Sequence, residues 1–130
     1  MPLVADCTVA LQVALLAKLT TLCSVPVYDA VPRNSAYPYV QLDSQMAMDA
    51  EFIDGTQIDE RNIYISVWSE QRGQAQVMGI LAEIKNIHLT ALTLTTGQVV
   101  LLRCFRSETS RDADGVTYQG NMTLKVITKN

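Results

Sequence analysis

The segment from Val116 to Thr128 alternates between apolar and polar residues, and it constrains the fold more than any other part of the chain. Successive side chains of a β-strand point to opposite faces of the sheet, so this pattern predicts a strand with one buried face. The residues predicted to face the core are Val116, Tyr118, Met122, Leu124 and Val126, and those predicted to face outward are Thr117, Gln119, Asn121, Thr123 and Lys125.

A second strand is predicted from Arg61 to Ser69, and its two faces differ less. One face carries Ile63, Ile65 and Val67, and the other carries Tyr64, Ser66 and Trp68. Both faces are largely apolar, so we expect both to be covered. Helices can cover one of them. The other would need a second layer or a neighbouring subunit.

The remaining strands are shorter or less regular. A strand from Val99 to Glu108 leads through Asp112-Ala113-Asp114-Gly115 into the alternating segment, and Gly115 can supply the positive φ of a hairpin turn. Residues 91–95 are predicted to form a short strand that ends in a turn at Thr96-Gly97.

Two helices are predicted from residues that recur at helical spacing. The first spans residues 6–22, with Asp6 as its N-cap, and its polar face is so thin that we expect cover on more than one side. The second spans Gly73 to His88. Their buried stripes consist of Leu11, Leu15, Leu19 and Leu22 in the first helix, and of Val77, Ile80, Leu81, Ile84 and Ile87 in the second.

Prolines and acidic residues shape the chain between the first helix and the central strand. Pro26, Pro32 and Pro38 exclude a long helix over residues 25–40. We predict short strands at residues 25–28 and 39–44, with a turn at Asn34-Ser35. Residues 45–60 are acidic and lack basic residues, which predicts a long loop or the splayed tip of a hairpin.

These elements together predict one α+β domain over residues 1–130. It consists of a mostly antiparallel β-sheet with two α-helices packed on one face and a long acidic loop or hairpin at 45–60.

Charge and composition exclude some functions. The net charge is −3 and the chain has no cluster of Lys and Arg, so binding of nucleic acid through its phosphates is not expected. The apolar content of 48% is high for a small domain, which favours a surface hidden by a partner. Neither a signal peptide nor a membrane span is expected. The three cysteines, Cys7, Cys23 and Cys104, are predicted to be buried thiols in a protein made in a reducing cytoplasm.

No set of residues points to catalysis or to a cofactor. His88 could act as a general base, but a single histidine at the end of a helix more often stabilises the helix dipole. Asp49, Glu51 and Asp54 offer oxygen ligands without the spacing of a calcium loop, and a solvated acidic loop explains them better. Glycine-rich phosphate-binding motifs are absent. Trp68 and the tyrosines lack basic neighbours, which favours core packing or a protein interface over base stacking.

The ordered set of short motifs resembles the tail terminator, or tail completion, family of long-tailed bacteriophages and gene transfer agents. After the Leu-rich helix come Val27-Tyr28-Asp29 with Pro32, the strand from Pro38 through Tyr39 and Val40 to Leu42, and a strand that closes on Val67-Trp68-Ser69. Then follow the second helix and the Arg111-Asp112-x-Asp114-Gly115 hairpin. The resemblance covers nearly the whole chain. One difference is Asp43, where family members often have glycine.

The resemblance implies a structural virion protein without enzymatic activity or cofactors. Such proteins form a ring of six copies at the head-proximal end of the tail tube, where they stop tube polymerisation and offer the surface that docks to the head. The implied partners are further copies of this chain, the tail tube protein and the head-side connector, with DNA passing through the ring without sequence-specific binding.

The resemblance also implies a location at the head–tail junction of a virion assembled in the bacterial cytoplasm. The candidate residues for a ring or tube interface, or for a loop facing the channel, are Asp49, Glu51, Asp54, Asp59 and Glu60. The residues expected to carry the family's structure are Tyr28, Asp29, Pro32, Pro38, Tyr39, Val40, Trp68 and Gly115.

Two alternatives remain at this point. The chain could be another connector component or a tube subunit, which would polymerise by itself. It could also be a small enzyme or ligand-binding domain, for which His88 and an apolar core large enough for a pocket are the support.

Overall fold

A computed structural model describes residues 8–49, 58–70, 74–89, 92–94, 97–111 and 117–129. It contains two α-helices, one 3-10 turn and five strands. In chain order these are α1 (Thr8–Leu22), β1 (Val27–Tyr28), β2 (Tyr39–Asp49), β3 (Ile58–Ser69), α2 (Ala75–Lys85), the 3-10 turn Asn86–Leu89, β4 (Gln98–Arg111) and β5 (Tyr118–Lys129).

The five strands form one sheet in the order β1-β2-β3-β5-β4. Only β1 runs parallel to its neighbour, since the pairs β2–β3, β3–β5 and β4–β5 are all antiparallel. The α+β prediction with a mostly antiparallel sheet is confirmed.

Both helices pack on the same face of this sheet. Ile63, Ile65 and Val67 of β3 lie on that face, and β5 places Met122 and Leu124 beside them through the pairs Ile65↔Met122 and Ile63↔Leu124. Val77 and Leu81 of α2 lie against Gly120 on the same face, and Thr8 of α1 contacts Arg61 there. Most of the predicted inward residues are buried: Leu11, Leu15, Leu19, Val77, Ile80, Leu81, Ile84, Ile87, Met122, Leu124 and Val126. Leu22 and Tyr118 are only partly buried, and Val116 lies outside the described residues.

Thr117 was predicted to face outward, but it is buried. It precedes the first residue of β5, so the two-residue alternation of a strand does not govern it.

The ends of α1 and α2 are joined by side-chain hydrogen bonds. The backbone N–H and the hydroxyl of Ser24 both donate to the Glu83 carboxylate, each at 3.0 Å. Glu83 is half-buried. Cys23, next to Ser24, is buried as predicted, and burial together with the Glu83 charge raises the pKa of its thiol to about 11.

The acidic segment at 45–60 follows the hairpin alternative rather than the loop alternative, as far as the described residues extend. Strand β2 continues to Asp49 and β3 begins at Ile58, so residues 45–49 and 58–60 are paired strand. The register runs through Met46↔Asn62 to Asp49↔Asp59. Residues 50–57, with the predicted Glu51 and Asp54, lie outside the described residues.

Several predicted boundaries change. Strand β1 begins at Val27, two residues later than predicted, because Pro26 has no N–H to donate; its carbonyl instead accepts the Val40 N–H at 2.9 Å. Residues 92–94 do not form the predicted strand, while residues 91, 95 and 96 are outside the described part. The predicted hairpin connection at 112–115 also lies outside it.

Candidate functional site

A buried ionic cluster lies where the first residue of α1 meets β3 and β5. Arg61 is fully buried, and its guanidinium donates to the Thr128 hydroxyl at 3.0 Å, the Thr8 hydroxyl at 2.9 Å and the Asp59 carboxylate at 3.3 Å. Asp59 was a candidate for an interface or channel-facing role, yet it is only 7% exposed. Its carboxylate accepts from Arg61, and Arg61 in turn links β3 to Thr8 of α1 and Thr128 of β5.

Glu60, the next candidate, points to the opposite face of the sheet. Its carboxylate pairs with the Lys125 ammonium of β5 at 3.0 Å, and both side chains are partly exposed. Asp49 is the last residue of β2. The acidic candidates are therefore divided between the two faces and the hairpin, so they do not form one site within the described residues.

The family-motif residues lie close together at the β1 end of the sheet. Tyr37 and Tyr39 stack with ring centroids 5.4 Å apart, and Tyr28 meets Tyr39 edge-on at 6.0 Å. The Tyr37-Pro38 peptide bond is cis. Val40 is fully buried between β1 and β3.

The turn before this strand has the predicted position. Asn34 has a φ of 64°, and the N–H and hydroxyl of Ser35 both donate to the Pro32 carbonyl. Asp29 is exposed beyond the end of β1, and Gly115 is outside the described residues. Of these motif residues, Pro32 lies in the turn, and Tyr39 and Val40 lie in β2.

The second face of the sheet carries Tyr64, Ser66 and Trp68, for which we expected cover by a second layer or a neighbouring subunit. Ser66 is buried, and Tyr64 and Trp68 are half-buried. Their neighbours on β5 are polar, such as Asn121 paired with Ser66. The Ser66 hydroxyl lies within hydrogen-bonding distance of Asp43, at 3.4 Å, and of Asn121, at 3.3 Å.

This second face contains a polar hollow of about 430 Å³. Asp43, Tyr64, Arg106, Asn121 and Thr123 are among the residues that line it. Arg106 forms an exposed ion pair there with Glu108 at 3.1 Å. His88 lies in the 3-10 turn after α2, and its side chain is not described.

Exposed apolar residues are concentrated at the margins of the sheet. Met46 and Met48 lie on β2, and Val100, Leu101 and Phe105 lie on β4, with Phe105 61% exposed. The sequence pattern did not predict that these residues are exposed together. Residues 45–60 were predicted to form a loop or hairpin tip, and no faces were predicted for residues 99–108. Val9 and Val13 add an exposed apolar stripe on α1, at 74% and 64%.

The described residues contain no group of three His, Cys, Asp or Glu side chains placed to hold a metal ion. None of the helices among them is long and apolar enough to cross a bilayer.

Comparison with known proteins identifies a family and a similar fold for this chain. Among solved structures, the chain is similar to a chain in the virion of a native gene transfer agent (GTA) particle, with a TM-score of 0.85 and 23% identity over 96% of this chain and 98% of that one. No curated protein matches it. Residues 9–129 match the family described as tail completion protein gp17. The chain belongs to this family of structural proteins of the virion tail.

Proposed function

We propose that this protein forms a ring, most simply of six copies, that caps the head-proximal end of a phage tail tube. The ring ends polymerisation of the tube and presents the surface to which the head-side connector docks. The observation that carries the proposal is the family match, which extends over residues 9–129. The protein acts through its shape and carries out no chemical reaction.

The surface of the subunit supports assembly with other proteins. Large apolar side chains remain exposed on α1, β2 and β4, where a monomer would leave them in water. A ring requires a heterologous contact, in which two different surfaces of the subunit meet and the rotation closes. The proposed partners are therefore further copies of the chain, the tail tube protein and the connector.

Passage of DNA through the ring agrees with the charge of the chain. The net charge of −3 and the lack of a basic cluster disfavour retention of a polyanion. Assembly in the bacterial cytoplasm agrees with Cys23, which is a buried free thiol.

Capping can be tested with purified tube protein. We expect tubes polymerised with this protein present to stop growing and to carry a terminal ring in negative-stain images, while tubes without it continue to lengthen. A protein that stays monomeric and leaves tube length unchanged would contradict the proposal. Long tubes formed by this protein alone would identify it as a tube subunit instead.

The acidic hairpin tip is a separate proposal. We propose that Asp49, Glu51 and Asp54 face either the tube or the channel. In the variant Asp49→Asn/Glu51→Gln/Asp54→Asn, loss of capping would indicate contact with the tube. Retained capping, together with stronger retention of duplex DNA at low salt, would indicate the channel. A variant unchanged in both assays would exclude both roles, and Glu70→Gln is a control for removal of an exposed carboxylate elsewhere.

A further inference from the structure

The sheet has two unpaired edges that face away from each other. Strand β4 is the last strand on one side, and within the described residues it pairs only with β5. On the other side, β1 covers only Val40 and Gln41 of β2. Among the residues that the structure describes, positions 43–49 of β2 therefore have one row of backbone N–H and C=O groups without a partner strand, as does β4. Such rows are templates for another strand.

The two free edges lie at the same level of the sheet. The strand pairings connect Ser44 through Tyr64 and Thr123 to Arg106, and they connect Asp49 through Asp59 and Thr128 to Val99. Residues 44–49 thus lie level with residues 99–106 across the sheet. If neighbouring copies are related by rotation about an axis parallel to the strands, residues 44–49 of one copy and residues 99–106 of the next meet at the same height. No shift along the strand direction is needed.

The strand directions also fit. Strands β2 and β4 run in opposite directions, because β2 is antiparallel to β3, β3 to β5 and β5 to β4. When every copy has the same orientation, β4 of one copy therefore meets β2 of the next as an antiparallel pair. That arrangement gives perpendicular interstrand hydrogen bonds.

The side chains of the two edges are complementary. Residues 43–49 carry Asp43 and Asp49 and no basic residue, whereas residues 99–106 carry Arg103 and Arg106 and no acidic residue. At the same levels, Met48 on β2 would lie opposite Leu101 on β4 and Met46 opposite Arg103, with the exposed side chains of Val100 and Phe105 nearby on β4. The sign of the charge disfavours pairing of β4 with β4, or of β2 with β2.

The β4 edge is irregular in a way that limits its pairing. Register shifts lie between Val99 and Leu101 and between Cys104 and Arg106, so Val100 and Phe105 are the bulged positions. Bulges on an edge strand oppose uncontrolled addition of further strands. Here they leave a short regular stretch between two exposed apolar side chains.

We propose that neighbouring copies join edge to edge, with residues 99–106 of β4 in one copy antiparallel to residues 43–49 of β2 in the next. The partner is a second copy of this chain. This assignment rests on the proposed ring and identifies its interface: two unlike strand edges that form a heterologous contact.

Two edge variants test the assignment. The β4-edge variant is Leu101→Glu/Phe105→Glu, and the β2-edge variant is Met46→Lys/Met48→Lys. All four side chains are exposed, so we expect both variants to fold. Met78→Glu on α2 is the matched control, because Met78 is 56% exposed and lies on neither edge.

We expect each edge variant to raise the concentration needed for assembly more than about tenfold, measured by native mass spectrometry and by the fraction of capped tubes. The control should behave as wild type. In a mixture, the β4-edge variant supplies an intact β2 edge and the β2-edge variant supplies an intact β4 edge. The mixture should therefore assemble, and its smallest product is a one-to-one dimer.

The outcomes separate this assignment from the proposed function. A wild type that caps tubes, with edge variants that do the same, would overturn the edge assignment alone. Assembly by the β2-edge variant but not by the β4-edge variant would show β4–β4 pairing and would also overturn it. Variants that remain monomers when mixed contradict it as well. A wild type that neither assembles nor caps would count against the proposed function.

Discussion

Replacement of Arg61 by alanine should lower the free energy of unfolding by about 3–5 kcal/mol, the cost of removing one partner from a buried ion pair. Arg61 is completely buried and donates to Asp59, Thr8 and Thr128. The substitution leaves the Asp59 carboxylate in the interior without its guanidinium, and it opens a cavity under α1. Urea unfolding at one fixed, low protein concentration would measure the loss without a contribution from assembly.

An ion pair on the neighbouring strand provides the control. Lys125→Ala removes the partner of Glu60, but both side chains of that pair are partly exposed, so the cost should stay below about 1 kcal/mol. The double variant Arg61→Met/Asp59→Asn should be more stable than Arg61→Ala, because it removes both charges and refills the volume. Equal costs for Arg61→Ala and Lys125→Ala would contradict a structural role for the buried cluster.

The burial of Arg61 could have been predicted from its position in the strand pattern, although a charged residue is not expected in the core. Arg61 is two residues before Ile63, so it belongs to the same face of β3 as Ile63, Ile65 and Val67. Periodicity therefore predicted the helix-covered face well, including the buried stripes of both helices. It did not show that an arginine could occupy the end of this face, since that depends on hydroxyls of Thr8 and Thr128 far away in the chain.

The order of the strands could not be predicted from local patterns. Alternation identifies a strand, but it does not show that β5 lies between β3 and β4. The free edges follow from this order, and so do the residues exposed on them. The polar character of the second face could not be predicted for a related reason: Tyr64 and Trp68 look like core residues in β3 alone, whereas their neighbours on β5 are polar.

Gly120 should tolerate no larger residue without a loss of stability. A Cβ at this position would lie 2.5 Å from Cγ1 of Val77 and 3.0 Å from Cδ1 of Leu81. Val77 is fully buried in α2 and its branched side chain has few alternative rotamers, so α2 must move away from the sheet. We expect Gly120→Ala to lower the free energy of unfolding by about 1–3 kcal/mol, measured by urea unfolding.

Two further variants distinguish crowding at Gly120 from other effects of an added methyl group: one at a second glycine, and one that makes room for the added methyl group. Gly79 lies within α2, and a Cβ there would meet nothing within 4 Å, so Gly79→Ala should stabilise the protein by up to about 1 kcal/mol through helix propensity. Val77→Ala removes the methyl groups that Gly120→Ala would strike. The double variant should therefore lose less than the two single losses together, by about 0.5–3 kcal/mol. Strict additivity would mean that α2 does not rest on Gly120, and the close approach of this helix to β5 would then not be what holds α2 on the sheet.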